Sequence, residues 1–422
     1  MFRRETFQTV QVMSIVVQKF GGTSLADPAR IRAVADRVES TRREGHDVVV
    51  VVSAMGQTTD QLVSLAAEVS DDPSPREMDM LLSAGERISM ALLAINLNSR
   101  GIPAVSYTGS QAGILTDSSH GSAKILDIRG TRVRDSLAAG RVVIVAGFQG
   151  VDPESKEITT LGRGGSDATA VALAAALGAD SVEVYTDVDG VFTADPRIVP
   201  GARKLDEVPF DEMLELSAGG AGVLMSRAVE FGRRFEIPIH VRSSFHDGEG
   251  TWVLESPMEQ AIVSGIAHDR SEAKVTVNRV PDRPGVAAAL FGSLAGAGVN
   301  VDMIVQNVSH DGNTDISFTV PRANLVDAER ISKQVAGEIG AESVDVDADI
   351  AKVSLVGAGM KSHPGVAARV FETLAEAGIN IEMISTSTIR ISCVVRADQV
   401  EEAVRSLHTA FDPPAVYEEV GA

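Results

Sequence analysis

The chain has 422 residues with 58 acidic against 38 basic side chains, a formal net charge of −20. That length exceeds one ordinary core and implies two or three domains, while the negative charge opposes non-specific attraction to nucleic acid or to an anionic membrane. Aromatic residues are only 4%, too few to stack single-stranded nucleic acid, and the longest apolar runs, such as Val48 to Val52, are far shorter than the roughly 20 residues that span a bilayer.

At the start, Arg3 and Arg4 look like the head of a signal peptide, but the stretch from Glu5 to Met13 is too polar for the apolar region that must follow. Met13 is an alternative start, and residues 1–13 are expected to be an N-terminal extension. Ser14-Ile15-Val16-Val17 reads as a strand, and Lys19, Phe20, Gly21 and Gly22 follow where that strand ends ahead of a helix, the place where α/β sheets hold phosphate. The lysine precedes the glycines, whereas a Walker A loop places it after them, so a P-loop is disfavoured. Asp27 caps the next helix, Pro28 opens it, Ile31, Val34, Ala35 and Val38 share one face, and Gly45 ends it. The run from Val48 to Val52 is expected to be a parallel strand covered on both faces.

Further along, Leu82 to Ser89 places Glu86 in a short polar break within a helical stretch, where it can receive a substrate ammonium or stand as a solvated helix-face carboxylate. Arg141 to Ala146 and Ser181 to Tyr185 read as strands, and Ser166 to Leu177 as an alanine-rich helix. The alternation predicts an α/β domain with a mainly parallel sheet. In Thr159 to Asp167, Ser166 is the expected cap of that helix, whose free N–H groups can bind an anion. Arg163 adds a fork suited to a carboxylate, and Asp167 can pair with Lys19. Tyr185 to Arg197 combines a strand end, turns, an aromatic and an arginine that can seat a nucleotide. The eight histidines lack metal-ligand spacing; magnesium would arrive with the nucleotide.

From about Glu249 a Gly- and Pro-rich connection marks a boundary, and an internal repeat follows. Pro284 to Ala288 matches Pro364 to Ala368, and Ala297 to Ile304 matches Ala377 to Ile384, both at an offset of 80. Each copy reads as a ferredoxin-like β-α-β-β-α-β module, serving either as a dimerisation element or as a small-molecule sensor. Cys393, the sole cysteine, reads as a buried strand thiol, excludes an intrachain disulfide and fits a reducing, cytoplasmic setting.

The segments Lys19 to Ser24, Ser53 to Asp60, Ser83 to Ser89, Gly162 to Asp167 and Tyr185 to Arg197, in this order and followed by the repeat, closely resemble the aspartokinases of the amino acid kinase superfamily over residues 14–420. The resemblance implies a three-layer amino acid kinase fold at 14–248, a linker at 249–265, and ACT domains at 266–345 and 346–422. It implies transfer of the ATP γ-phosphoryl to the side-chain carboxylate of L-aspartate, the entry step to lysine, threonine, methionine and diaminopimelate. Lys19 would stabilise the moving phosphoryl and Asp167 would orient Lys19. Phe20, Gly21, Gly22, Thr186, Asp187, Phe192 and Arg197 would contact the nucleotide; Ser53, Thr59, Glu86, Arg163, Gly164, Gly165 and Ser166 would hold the substrate. Asp282, Gly285, Ala287 and Gln306, with Asn380, Ile381 and Ser387, would bind lysine and threonine as effectors. A homodimer through the ACT domains is expected, or a tetramer with a regulatory chain started internally at Met258.

One position departs from the family. Relatives usually carry a nucleotide-contacting lysine where this chain has Gly222, which implies a loss of about 1.5–3 kcal/mol of nucleotide affinity unless Arg227 compensates. The competing readings are a catalytically weakened paralogue that acts as an amino-acid-sensing regulatory subunit, and a kinase for another acid such as acetylglutamate, glutamate or UMP.

Overall fold

The structure, a computed structural model, describes residues 14–255, 262–307, 312–363 and 365–413, with the backbone alone at Lys361 and Ser362. The N-terminal extension, Met13, Met258 and Pro364 lie outside the described residues. Two compact units are present. The first takes the chain up to Val191, Lys204–Met213 and the stretch from Val223; the second takes Phe192–Arg203, Leu214–Gly222 and the C-terminal part.

The first unit is built on an eight-stranded sheet in the order 207–209, 251–254, 239–243, 181–186, 15–20, 47–52, 142–146, 104–107. All neighbours run parallel except 239–243 with 251–254. Val48 through Val52 are fully buried, as expected for a central parallel strand with helices over both faces. On one face Phe20, Val48, Val50 and Val52 pack against Ile31, Val34, Ala35 and Val38 of helix Pro28–Arg43 and against Leu93 and Leu97 of helix Pro75–Ser99. On the other lies helix Gly165–Leu177. The first of these helices starts as the sequence predicts: the Asp27 carboxylate accepts from the N–H groups of Ala29 and Arg30 at 2.7 and 2.9 Å, a cap worth about 1 kcal/mol.

Two local expectations are corrected. Residues 75–99 form one unbroken helix, so Glu86 stands mid-helix and buried rather than in a polar break. The small polar residues around it bond backward: Ser83 Oγ donates to the Met80 carbonyl at 2.9 Å, and Ser89 Oγ donates to the carbonyls of Glu86 and Ser53 at 3.1 and 2.7 Å. Ser166 is not the cap of its helix either. That position belongs to Gly164, whose φ of 69° is in the left-handed region that glycine enters without steric cost, and Ser166 falls in the first turn.

In the second unit each repeat forms a four-stranded antiparallel sheet. The first module supplies all of its own strands, ordered Ile304–Gln306, Asn313–Pro321, Glu272–Pro281, Ser343–Asp347, the ferredoxin-like arrangement. The second has the same order, 383–386, 390–396, 350–356, but its fourth strand is Gly265–Asp269, from upstream of the first module. The linker was expected to end there. The modules meet through Met303, Ile350, Met383 and Val394. Flanking this contact, Lys352, buried, pairs with Glu272 and with Asp302 at 2.5 Å, and Lys274 pairs with Glu382. Asp302 and Glu382 occupy matching repeat positions, so each module's carboxylate holds the other module's lysine.

Candidate active site

Alternation along strand Ile15–Phe20 sends consecutive side chains to opposite faces. Phe20 therefore turns into the core, 1% exposed and stacked on Tyr185 with ring centroids 4.7 Å apart. Its ring is not free for the expected nucleotide contact. Lys19 points the other way, and its Nζ lies 2.6 Å from Asp167 Oδ1. Asp167 sits in the first turn of helix 165–177, where the helix macrodipole favours a negative charge. The lysine is thus held at a helix N-terminus.

Gly22 closes the adjoining loop against residues 53–59. A β-carbon there would be 2.9 Å from the Gly56 carbonyl oxygen and 3.0 Å from that of Ala54, and the Gly56 N–H donates to the Gly22 carbonyl at 2.9 Å. Only glycine fits between these backbones. Ser53 and Thr59 thereby come beside Lys19, with the Ser53 carbonyl pinned by Ser89.

Glu86 enters the same space from helix 75–99. Its Oε1 accepts from the Ala54 N–H at 3.2 Å, while its Oε2 has no hydrogen-bond partner among the described residues. Burial pushes this carboxyl up to about 7, opposed by hydrogen bonds from the backbone N–H groups of Glu86 itself and of Ala54. A buried, half-satisfied carboxyl of this kind is suited to receive a cation. Arg163, exposed, lines the same space.

One cavity of about 650 Å³ thus collects Lys19, Gly21, Gly22, Ser53, Thr59, Glu86, Arg163, Gly164, Gly165, Ser166 and Asp167. It also takes in Asp79, Gly121, Phe148 and Thr160, which the sequence reading missed. For Asp79 a signal was available: it precedes Glu86 by seven residues, two helical turns, and so shares its face.

Other expected residues lie elsewhere. Thr186 ends the strand next to Lys19's and Asp187 follows it, where the Gly21 N–H donates to the Tyr185 carbonyl at 3.3 Å. Phe192 and Arg197 belong to the second unit, and Arg197 is paired with Asp195 at 2.7 Å. Gly222 is exposed. Arg227 does not stand in for the missing lysine, because its guanidinium donates to the carbonyls of Leu161 and Ala123 at 3.2 and 3.0 Å.

In the second unit Asp282, Gly285 and Ala287 surround the start of helix Val286–Gly296, and Gln306 ends an edge strand. Asn380 and Ile381 precede and Ser387 follows strand Met383–Thr386, an edge strand of the second module. Ser387 Oγ donates to Glu215 Oε1 at 3.2 Å, and Arg390 pairs with Glu215 Oε2 at 3.0 Å. Cys393 is buried and its thiol is pushed up to about 12 by desolvation.

No group of three or more His, Cys, Asp or Glu side chains suited to a metal occurs among the described residues. Helix 75–99 is by length and composition alone able to cross a membrane, but its Leu93 and Leu97 are core residues of the first unit.

The chain matches the model of the amino acid kinase family over residues 14–243 and that of the ACT domain over 275–334 and 353–411. It is 59% identical over 405 residues to an aspartokinase of Mycolicibacterium smegmatis, covering 94% of this chain and 96% of that protein. Its structure is similar to that of E. coli aspartokinase III in complex with aspartate and ADP in the R-state, with a TM-score of 0.82, 28% identity and coverage of 94% and 100%. Against the same enzyme in complex with lysine and aspartate in the T-state the TM-score is 0.72, at 29% identity and coverage of 94% and 99%.

Proposed function

The chain belongs to the aspartokinases of the amino acid kinase family, and on that premise we propose how its cavity performs ATP-dependent phosphorylation of L-aspartate. The observation that carries the reading is the Lys19–Asp167 pair lining one cavity together with Glu86 and Arg163. Glu86 takes the substrate ammonium and Arg163 its α-carboxylate. The side-chain carboxylate is then the end left to face Lys19, with the Ser53 and Thr59 hydroxyls beside it.

A carboxylate oxygen of aspartate attacks the γ-phosphorus, the bond from that phosphorus to the β–γ bridging oxygen breaks, and ADP leaves with the electron pair. The nucleophile is already an anion, so no general base is needed. Positioning and charge neutralisation carry the catalysis: Lys19, aimed by Asp167, meets the charge on the transferring group, and the loop at Gly21 and Gly22 cradles it. Magnesium bound to the nucleotide would supply further neutralisation; among the described residues no group of three or more metal-ligating side chains stands ready to hold it, and the Ser53 and Thr59 hydroxyls would lie beside a cation that arrives on phosphate. Thr186 and Asp187 hold the nucleotide.

Lysine and threonine act as feedback effectors at the ACT modules, through Asp282, Gly285, Ala287 and Gln306 and through Asn380, Ile381 and Ser387. The product enters lysine, threonine, methionine and diaminopimelate synthesis in the cytoplasm, and the ACT modules associate chains into a dimer, alone or with an internally started regulatory chain. Hydroxylamine trapping of the acyl phosphate, with and without lysine and threonine, tests the reading. Turnover is expected, more strongly inhibited by both effectors than by either. No turnover at saturating ATP would instead support the sensing subunit that Gly222 suggested. Lys19→Ala should cost about 3 kcal/mol or more of transition-state stabilisation, read as a 100-fold or greater loss of kcat.

A further inference from the structure

Asp79 is the most completely buried carboxylate bordering the cavity, at 0% exposure, and its bonds all run to other segments. It accepts from Thr160 Oγ1 at 2.5 Å, from the Gly121 N–H at 3.0 Å and from His120 Nδ1 at 2.7 Å. None of these donors is on its own helix. They come from the loop 117–123 and from strand Ile158–Thr160, which leads through Leu161 and Gly162 directly into Arg163.

The two segments are also fixed to each other. The Ala123 N–H donates to the Thr160 carbonyl at 2.9 Å. Gly162 lies so close to the loop that a β-carbon would be 3.0 Å from the Gly121 carbonyl oxygen. Arg163 follows at once, exposed and with no hydrogen bond or ion pair among the described residues. Its side chain is free, so its placement depends on the backbone beneath it.

We propose that Asp79 and His120 form a positioning pair for substrate recognition: by gripping Gly121 and Thr160 they set the height and direction from which Arg163 reaches the substrate α-carboxylate. Asp79 and Glu86 then divide the task along one helix face, Glu86 meeting the ammonium itself and Asp79 holding the partner of the carboxylate. The inference rests on the assignment of Arg163 as the carboxylate clamp. A guanidinium displaced by an ångström loses its bidentate geometry, while Lys19 and the nucleotide side of the cavity stay in place.

The test is steady-state kinetics on the full chain for Asp79→Asn, His120→Ala, Arg163→Ala and the Asp79→Asn/Arg163→Ala double variant, with melting temperatures alongside. Asp79→Asn is expected to raise KM for aspartate about tenfold, and His120→Ala about threefold, with kcat and KM for ATP within about twofold of the parent. The double variant should have no higher KM for aspartate than Arg163→Ala alone, since the pair acts through that residue. His120, at the loop surface, keeps the test available if Asp79→Asn does not fold. The inference is overturned if KM for aspartate is unchanged in the variants, if it rises no more than KM for ATP, or if the double variant is additive. Should Arg163→Ala itself leave KM for aspartate unchanged, the clamp assignment falls and this inference with it; a raised KM in Arg163→Ala beside a flat response in Asp79→Asn and His120→Ala overturns this inference alone.

Discussion

Glu86 joins stability to function through one proton. Its carboxyl is raised from an ordinary 4.5 to about 7 by burial. Between those two values the folded chain holds a proton that the unfolded chain has released, so stability falls as pH rises from about 4.5 to about 7 and stays lower above. The full effect is about 3 kcal/mol. Glu86→Gln should therefore raise the melting temperature at pH 8 and change it little at pH 4, as thermal unfolding would show. The same variant should bind aspartate more weakly by about 1.5–3 kcal/mol, the worth of a hydrogen bond to a charged group. In the parent enzyme KM for aspartate should fall as pH rises through about 7, as the carboxylate forms; in Glu86→Gln that slope should vanish. A pH-independent parent KM would contradict the ammonium-binding role. The sequence pointed to Glu86 as a candidate, but not to its burial, which depends on Ala54 and the loop folded over it.

At the scale of elements, strand ends and glycine turns were readable because their signals are local. Asp27-Pro28 marked a helix start, the valine run a central strand, and Lys19-Phe20-Gly21-Gly22 the end of a strand and the turn that follows it. What failed was the reading of polar residues inside a helix: Ser83 and Ser89 satisfy themselves on backbone carbonyls, which looks in sequence like a break. Tertiary partners, too, were out of reach, as the distance from Thr160 to Asp79 in the chain shows. Glu215 is a further case. It lies in helix Phe210–Ala218 of the kinase-like sequence yet pairs with Ser387 and Arg390 of the second module, and the segment Leu214–Gly222 that holds it groups with the second unit. Arg390→Gln should then weaken inhibition by lysine and threonine, with a half-inhibitory concentration about fivefold higher or more, the scale of a 1 kcal/mol coupling. Activity without effectors should change little. Inhibition curves that superimpose on the parent's would rule out this contact as a link.

Across the whole molecule the repeat was legible and its assembly was not. The 80-residue offset predicted two like modules, but no periodicity reveals that strand Gly265–Asp269 crosses past the first to complete the second. Nor does it reveal that Phe192–Arg203 and Leu214–Gly222 group with the C-terminal part rather than with the sheet they follow. A fragment beginning at residue 346 should lack a sheet strand, expose the edge of strand Ile350–Val356 and self-associate. One beginning at residue 262 should hold both modules folded. Sedimentation and amide exchange of the two fragments would check this, and a monomeric, well-ordered short fragment would count against it.

That same strand imposes an order on synthesis. Gly265–Asp269 leaves the ribosome before any of its sheet exists, and its partner Ile350–Val356 follows only after the complete first module has been made. At roughly 5–20 residues per second the wait is of the order of several seconds. During that time the inner module can close on itself, while the outer one keeps a single strand in reserve. The two modules are therefore nested in time as well as in sequence, and the one that finishes last is the one that grips Glu215.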